Sequence, residues 1–209
     1  MYLSKLTLNP LNRFVRKDLA NFYELHRTLL CAFPNGEESK SNMLYRVDVD
    51  RKTGVATVII QSTIQPDWNY LDEKKSYLLT PALSKEIDLS FIEGQFLRFR
   101  LRASPTKRVA KNPDGTSAGY IKGLYKPDEQ MDWLKRKGKE GGFNLHSVLI
   151  TPEGNLIGYN NNNKITIYSV LFNGILIVEE RERFKNTVSK GIGRGKRFGF
   201  GLLSIAPLK

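Results

Sequence analysis

Histidine, cysteine and acidic residues are scarce in this chain of 209 residues, which holds two histidines and one cysteine. A single cysteine, Cys31, excludes an internal disulfide and agrees with a reducing compartment. A structural zinc site needs several Cys or His ligands at close spacing, so no metal centre is expected, and no cofactor either. No apolar run approaches the roughly 18 residues of a membrane span. The stretch MYLSKLTLNP reads as a strand and lacks the apolar core of a secretory signal, so a cytoplasmic protein without a membrane partner is expected. Asp and Glu number 21 against 33 Lys and Arg, giving a net charge of +12 and a pI near 9.7. That imbalance points to a polyanionic partner, most simply nucleic acid. An anionic membrane surface is the rival partner, but no basic amphipathic helix stands out to serve it. The acidic clusters that do occur, PDEQMD and VEERER, look like first turns of helices, where carboxylates complement the helix dipole.

Apolar residues make up 40% of the chain and aromatics 11%, enough for a real core in one large domain or two small ones. Tyr2–Leu8 alternates as a half-buried strand, and Asn9-Pro10 ends it. A helix is predicted from about Arg16 to Cys31, then a loop over Pro34 to Asn42. Two strands, MLYRVDVD and VATVIIQS, are joined by the turn RKTG. QPDWNYLDEK is irregular or a short helix, and Gln95 to Ser104 is a strongly alternating strand. This β-α-β-β-(irregular)-β order is ferredoxin-like. A turn-rich, basic stretch from Ser104 to Lys126 separates it from a second series, which opens with a short strand around Gly119 to Lys122. There Pro127 opens a helix to Glu140, Gly141-Gly142 closes it, and FNLHSVLI is a strand. Turns are predicted at Asn160 to Asn163 and at Asn173-Gly174, then a helix from Glu179 to Lys190 and a closing strand within FGFGLLSIAP. The expectation is an α+β fold of tandem ferredoxin-like (βαββαβ) domains: residues 1–104, a basic linker loop at 105–126, and residues 127–209 with an extra hairpin.

SKGIGRGKRFGFG, Ser189 to Gly201, carries glycines at 191, 193, 195, 199 and 201, interleaved with Lys190, Arg194, Lys196 and Arg197. It is no Walker loop, since GxxxxGK[ST] is absent and a strand follows instead of a helix. A helix cap and tight turn would account for Gly191; they do not account for five glycines among four cations. Backbone N–H groups of Gly191 to Gly195 beside those cations suit a nucleic-acid phosphate. In the first helix, Tyr23 and His26 are three residues apart and so neighbours on one surface. At about 100° per residue, Leu19, Phe22, Leu29, Leu30 and Phe33 form the apolar stripe, with His26 within it. His26 is thus either a satisfied core histidine or a group that does chemistry. His146, in FNLHSVL, has no partner at informative spacing and reads as structural or solvent-facing.

MYLSKLTLNP, YELHRTL, LRFRLRASPTKR and GIGRGKRFGFGLLSIAPL together resemble the CRISPR repeat-processing endoribonucleases of the CasE subfamily, part of the Cascade group of type I-E systems. The resemblance runs end to end. It implies metal-independent cleavage of CRISPR precursor RNA at the 3′ base of the repeat stem-loop, leaving a 2′,3′-cyclic phosphate. It implies that the product crRNA is retained and that the other Cascade subunits are partners. It carries the catalytic positions onto Tyr23 and His26, and RNA contact onto Gly191 through Gly201. Where the family grips the RNA stem with a basic hairpin, this chain has YNNNNK, with Lys164 the one cation at its tip. Stem contact is therefore expected from Lys107, Arg108, Lys111 and the Lys135 to Lys139 cluster (Arg136, Lys137 and Lys139 among them), with Arg16, Arg27, Lys190, Arg194, Lys196 and Arg197 completing the RNA-binding set. The chemistry needs a proton acceptor for the 2′-OH and a donor for the leaving 5′-oxygen. A histidine of ordinary pKa, about 6.5, fills either role; the sequence leaves open which of His26 and Tyr23 is acid and which is base. A non-catalytic RNA-binding subunit is the alternative, and a metal-dependent nuclease is disfavoured by the missing ligand cluster.

Overall fold

The computed structural model describes residues 1–34, 42–111, 117–160 and 163–208. The predicted loop at Pro34 to Asn42 and the turn at Asn160 to Asn163 lie largely outside them. In the first half the strands are β1 (Tyr2–Leu8), β2 (Leu44–Val49), β3 (Ala56–Ser62) and β4 (Leu83–Glu86), in the sheet order β2-β3-β1-β4. The β1–β3, β2–β3 and β1–β4 pairs are all antiparallel. Ser4, Leu6 and Leu8 turn inward from β1 while Lys5 stays exposed, as the alternation predicts.

The single helix predicted over Arg16 to Cys31 is in fact two, α1 (Arg13–Ala20) and α2 (Phe22–Leu30), broken at Asn21. Asn21 is extended, with φ −136° and ψ 102°, and ends one helix while capping the next. The break resets the helical phase. Val15, Leu25, Leu29, Ala32 and Phe33 are buried, and Leu19, Phe22 and Leu30, expected in the stripe, are only half-buried. Asp18 is buried at the corner, where it accepts from Thr28 Oγ1 at 2.8 Å and from the Tyr77 hydroxyl at 2.7 Å. Buried carboxylates persist when so partnered.

The strand predicted over Gln95 to Ser104 does not close the first half. As β5 (Phe96–Ala103) it pairs with β9 (Asn163–Val178) and β10 (Leu203–Pro207) in a second antiparallel sheet ordered β10-β5-β9-β8, where β8 is Phe143–Asn160. The short β4, which sequence reading passed over, takes its place in the first sheet. Both sheets thus have the ferredoxin-like order 4-1-3-2, and the second unit starts at β5 and not at residue 127. The expected linker loop at 105–126 is also revised. It forms a hairpin, β6 (Thr106–Lys111) with β7 (Ser117–Gly123), inserted between the first strand and first helix of the second unit. The turn predicted at Asn173-Gly174 is absent, because β9 runs straight through it. Gly174 is needed there for space: a Cβ would lie 2.0 Å from Ser147 O, at the bulge between Leu145 and Ser147. The extra hairpin is thus one long β8–β9 ribbon.

Leu97, Phe99, Leu101 and Ala103 of β5 face inward and Arg98 and Arg100 outward. The inner face is covered by α3 (Pro127–Gly141) and α4 (Arg181–Lys190) through Trp133, Leu134, Phe184 and Val188. The two halves are joined by polar contacts. Arg46 on β2 forks onto Asp48 at 3.1 and 3.0 Å and reaches Ser204 on β10 at 2.7 Å. Gln61 on β3 donates to Val188 O at 2.8 Å. Arg102 on β5 donates to Val47 O and pairs with Glu153 at 2.7 Å. Among the described residues, no helix is long and apolar enough to cross a membrane.

Candidate active site

Helix α2 begins where Asn21 Oδ1 accepts from Tyr23 N at 3.2 Å, a normal cap. One turn on, Tyr23 and His26 open into a cleft of about 690 Å³ between α2, the start of β2, and the segment after α4. Arg27, Lys190, Lys196 and Arg197 line the same cleft. So the structure brings together both predicted catalytic side chains and four of the predicted RNA-binding cations. Arg27 is partly engaged by Glu24 at 3.5 Å.

His26 is half-buried, and its Nδ1 has no hydrogen-bond partner among the described residues. Its ring lies nearly parallel to that of Tyr45, 15° between planes and 6.1 Å between centroids. Burial, and secondarily the Arg197 guanidinium, lower its pKa from 6.5 to about 4. The imidazole is therefore neutral at pH 7. Lys196 is also held below the usual lysine range, by burial first and by the neighbouring Lys190 second. Cations that repel one another in a half-buried cleft gain from an anion placed between them.

The glycine-rich segment is a shaped turn. Gly191, Gly193, Gly195, Gly199 and Gly201 all have positive φ. At Gly191 a Cβ would also meet Gly201 O at 2.7 Å. Geometry thus explains more of these glycines than the helix cap alone. The N–H groups of Gly191 and Ile192 are spent internally, on Thr187 O and Gly201 O, so part of the expected backbone cradle for phosphate is closed. What the turn delivers into the cleft is Lys196 and Arg197. A second groove of about 450 Å³ shares Lys190 and Lys196 with the cleft and adds Lys137 and Arg183, extending the basic surface toward α3 and α4.

The other predicted RNA contacts sit on other elements and, among the described residues, do not line the cleft. Arg16 is exposed on α1, and Arg194 is exposed on the glycine-rich turn. Lys107 and Arg108 are on the β6–β7 hairpin, Lys107 within 3.4 Å of Glu129. Lys111 ends β6 and its side chain lies outside the described residues. Arg136 and Lys139 are exposed on α3, Arg136 3.6 Å from Glu140. Lys137 is 2.5 Å from the same carboxylate. Lys164 is exposed on β9 opposite Tyr159. His146 is exposed and meets Phe96 edge to face at 5.4 Å.

Sequence reasoning missed Tyr45. It is 1% exposed, and its hydroxyl lies 3.0 Å from Arg197 O and 3.4 Å from Phe22 O. An aromatic in an alternating strand reads as core, and no pattern reveals what its hydroxyl reaches.

A family model described as CRISPR associated protein matches residues 1–207. The chain is 37% identical over 220 residues to the CRISPR-associated endoribonuclease Cse3 of Thermus thermophilus, covering 99% of this chain and 100% of the relative. It is 32% identical over 215 residues to the CRISPR system Cascade subunit CasE of Escherichia coli, covering all of both. Among solved structures, Thermus thermophilus Cse3 bound to an RNA representing a pre-cleavage complex superposes with a TM-score of 0.84 at 36% identity, over 99% of this chain and 98% of that one.

Proposed function

The chain belongs to the CRISPR-associated protein family, and from that premise we propose that it is an endoribonuclease that cuts CRISPR precursor RNA at the 3′ base of the repeat stem-loop. It does so without a metal ion, retains the crRNA, and works beside the other Cascade subunits. Relatives named as an endoribonuclease and as a Cascade subunit, each matched over its whole length, support the substrate and the partners. The observation that carries the chemistry is the cleft itself: a neutral imidazole and a phenol one turn apart, lining the same cleft as Lys190, Lys196 and Arg197.

The scissile phosphate sits among those cations. The 2′-OH on its 5′ side attacks phosphorus, and the bond from phosphorus to O5′ breaks. The products are a 2′,3′-cyclic phosphate and a 5′-OH end. His26, neutral at pH 7 because burial depresses its pKa, takes the 2′-OH proton. The leaving O5′ recovers a proton from the imidazolium so formed or from water, and Tyr23 orients the phosphate by donating its hydroxyl hydrogen. Lys196 and Arg197 offset the charge that grows on the phosphorane oxygens.

The test is single-turnover cleavage of a repeat hairpin in EDTA. The parent cleaves, and its product carries the cyclic phosphate. His26→Ala still binds the hairpin and cleaves about 10²-fold or more slowly; Tyr23→Phe loses less. A hairpin with hydrogen in place of the 2′-OH before the cut is bound and left intact. Cutting of that substrate sinks the mechanism, and a metal requirement sinks metal independence. Binding without cleavage by the parent leaves the chain a non-catalytic RNA subunit.

A further inference from the structure

The carboxamide of Asn21 faces two elements at once. Its Oδ1 accepts from Tyr23 N at 3.2 Å, capping α2, and from Tyr159 N on β8 at 3.2 Å. Its Nδ2 donates to Tyr159 O at 3.0 Å. The amide cannot be turned over, because Nδ2 would then face two N–H groups and Oδ1 a carbonyl. One side chain therefore starts the helix that carries Tyr23 and His26 and adds a rung to the ribbon of the other half of the chain. The dock is wider than the amide. Gly158 of β8 lies against the Phe22 ring, where a Cβ would come within 2.5 Å of Cζ. Phe22 in turn meets Phe198 of the glycine-rich segment edge to face, 4.7 Å between centroids.

We propose that Asn21 is a positioning residue: docking of the β8–β9 ribbon on Asn21 and Phe22 fixes the tilt of α2 and so the placement of Tyr23 and His26 in the cleft. This rests on the reading of those two as the reacting groups. A helix as short as α2 has little stability of its own, so what holds its ends sets its axis. The far end is held inside the first half, where Thr28 bonds Asp18 and Tyr70 donates to Thr28 O at 2.5 Å. The near end is held chiefly from the second half, through Tyr159, Gly158 and Phe198, beside one long contact from the Tyr45 hydroxyl of β2 to Phe22 O at 3.4 Å. His26 is one turn from that end. A misplacement of about 1 Å in a reacting group is worth about 10²-fold in rate.

Two variants open the dock from opposite sides. Asn21→Asp keeps an equally good cap but sets a carboxylate oxygen against the Tyr159 carbonyl. Gly158→Ala sets a methyl against Phe22 and leaves the cap alone. Melting is measured first. Single-turnover cleavage of a repeat hairpin at saturating protein then gives the rate, and the same hairpin with a 2′-deoxy cut site gives Kd. Both folded variants should lose about 10- to 100-fold in rate, with Kd within about threefold of the parent. The double variant should be no slower than the slower single, because both break one dock. A parent-like rate in either folded variant, additive losses, or a loss confined to Kd overturns the inference; so does unfolding of both, which makes the dock a requirement of the fold. His26→Ala is the control: if it cleaves like the parent, the reading beneath has failed, whereas an inactive His26→Ala beside a fully active Asn21→Asp overturns this inference alone.

Discussion

Lowering the pH from 7 to 5 asks His26 directly which way its proton moves. With its pKa lowered to about 4, the neutral fraction of the free protein is above about 0.99 at pH 7 and about 0.9 at pH 5. If His26 accepts the 2′-OH proton, kcat/KM changes by only about a tenth across that interval and bends downward near pH 4. If His26 had to enter as imidazolium, the competent fraction would rise from about 10⁻³ to about 10⁻¹, and kcat/KM would climb about 100-fold. Trace hairpin cut by sub-saturating protein reports kcat/KM and hence the free protein. A 100-fold climb refutes the base assignment. A fall of tenfold or more between pH 7 and 5 puts the limb at the ordinary histidine value, about 6.5, and refutes the effect of burial. The fold must be monitored beside the rate. A depressed pKa means the unfolded chain takes the proton first, so the stability contributed by neutral His26 is complete above about 6.5 and drains as pH falls toward about 4. Arg197→Ala removes the lesser cause of the depression and should move the acidic limb up, though less than exposing the ring would.

Arg194, Lys196 and Arg197 replaced together by Ala should weaken hairpin binding and flatten its salt dependence, each lost phosphate contact taking about 0.7 to 0.9 from the log–log slope; an unchanged slope would make the segment a structural turn and nothing more. Gly142→Ala, at φ 76° and with Glu180 O only 2.6 Å from the new Cβ, should cost about 2 to 4 kcal/mol in denaturant titration, and a cost under about 0.5 kcal/mol would show that the α3–β8 corner yields freely.

Strands with strict alternation were legible, because a single buried face imposes period two: β1 and β5 were located from sequence to within a residue or two. Which sheet β5 joins was not legible, since its apolar face suits either core and the choice is made by partners far along the chain. Asn21 hid the break in the first helix because a capping residue inside a helical pattern looks like any polar surface position. Asn173-Gly174 looked like a turn, yet there the glycine makes room for the Ser147 carbonyl, a demand that only a neighbouring strand can create. The site followed the same division. Tyr23, His26, Lys190, Lys196 and Arg197 could be singled out in the sequence because chemistry selects residue types, and the structure gathers them around one cleft. Tyr45 and Tyr159 make their contacts beside the cleft through a hydroxyl and through backbone groups, which leave no mark on composition or spacing.

The placement of β5 has a consequence for synthesis on the ribosome. Every strand of the first sheet lies within residues 2–86, so that unit can close as soon as it emerges. Strand β5 follows at once but must wait for its partners β9 and β10, the last strands to be made. During that wait both edges of β5 are unpaired, and its Leu97, Phe99 and Leu101 face would invite pairing with another chain. Arg98, Arg100 and Arg102, alternating along the opposite face, are the charges that discourage such pairing. Arg102, which in the finished molecule joins the halves through Val47 O, thus also helps to guard the nascent strand while it has no sheet to enter.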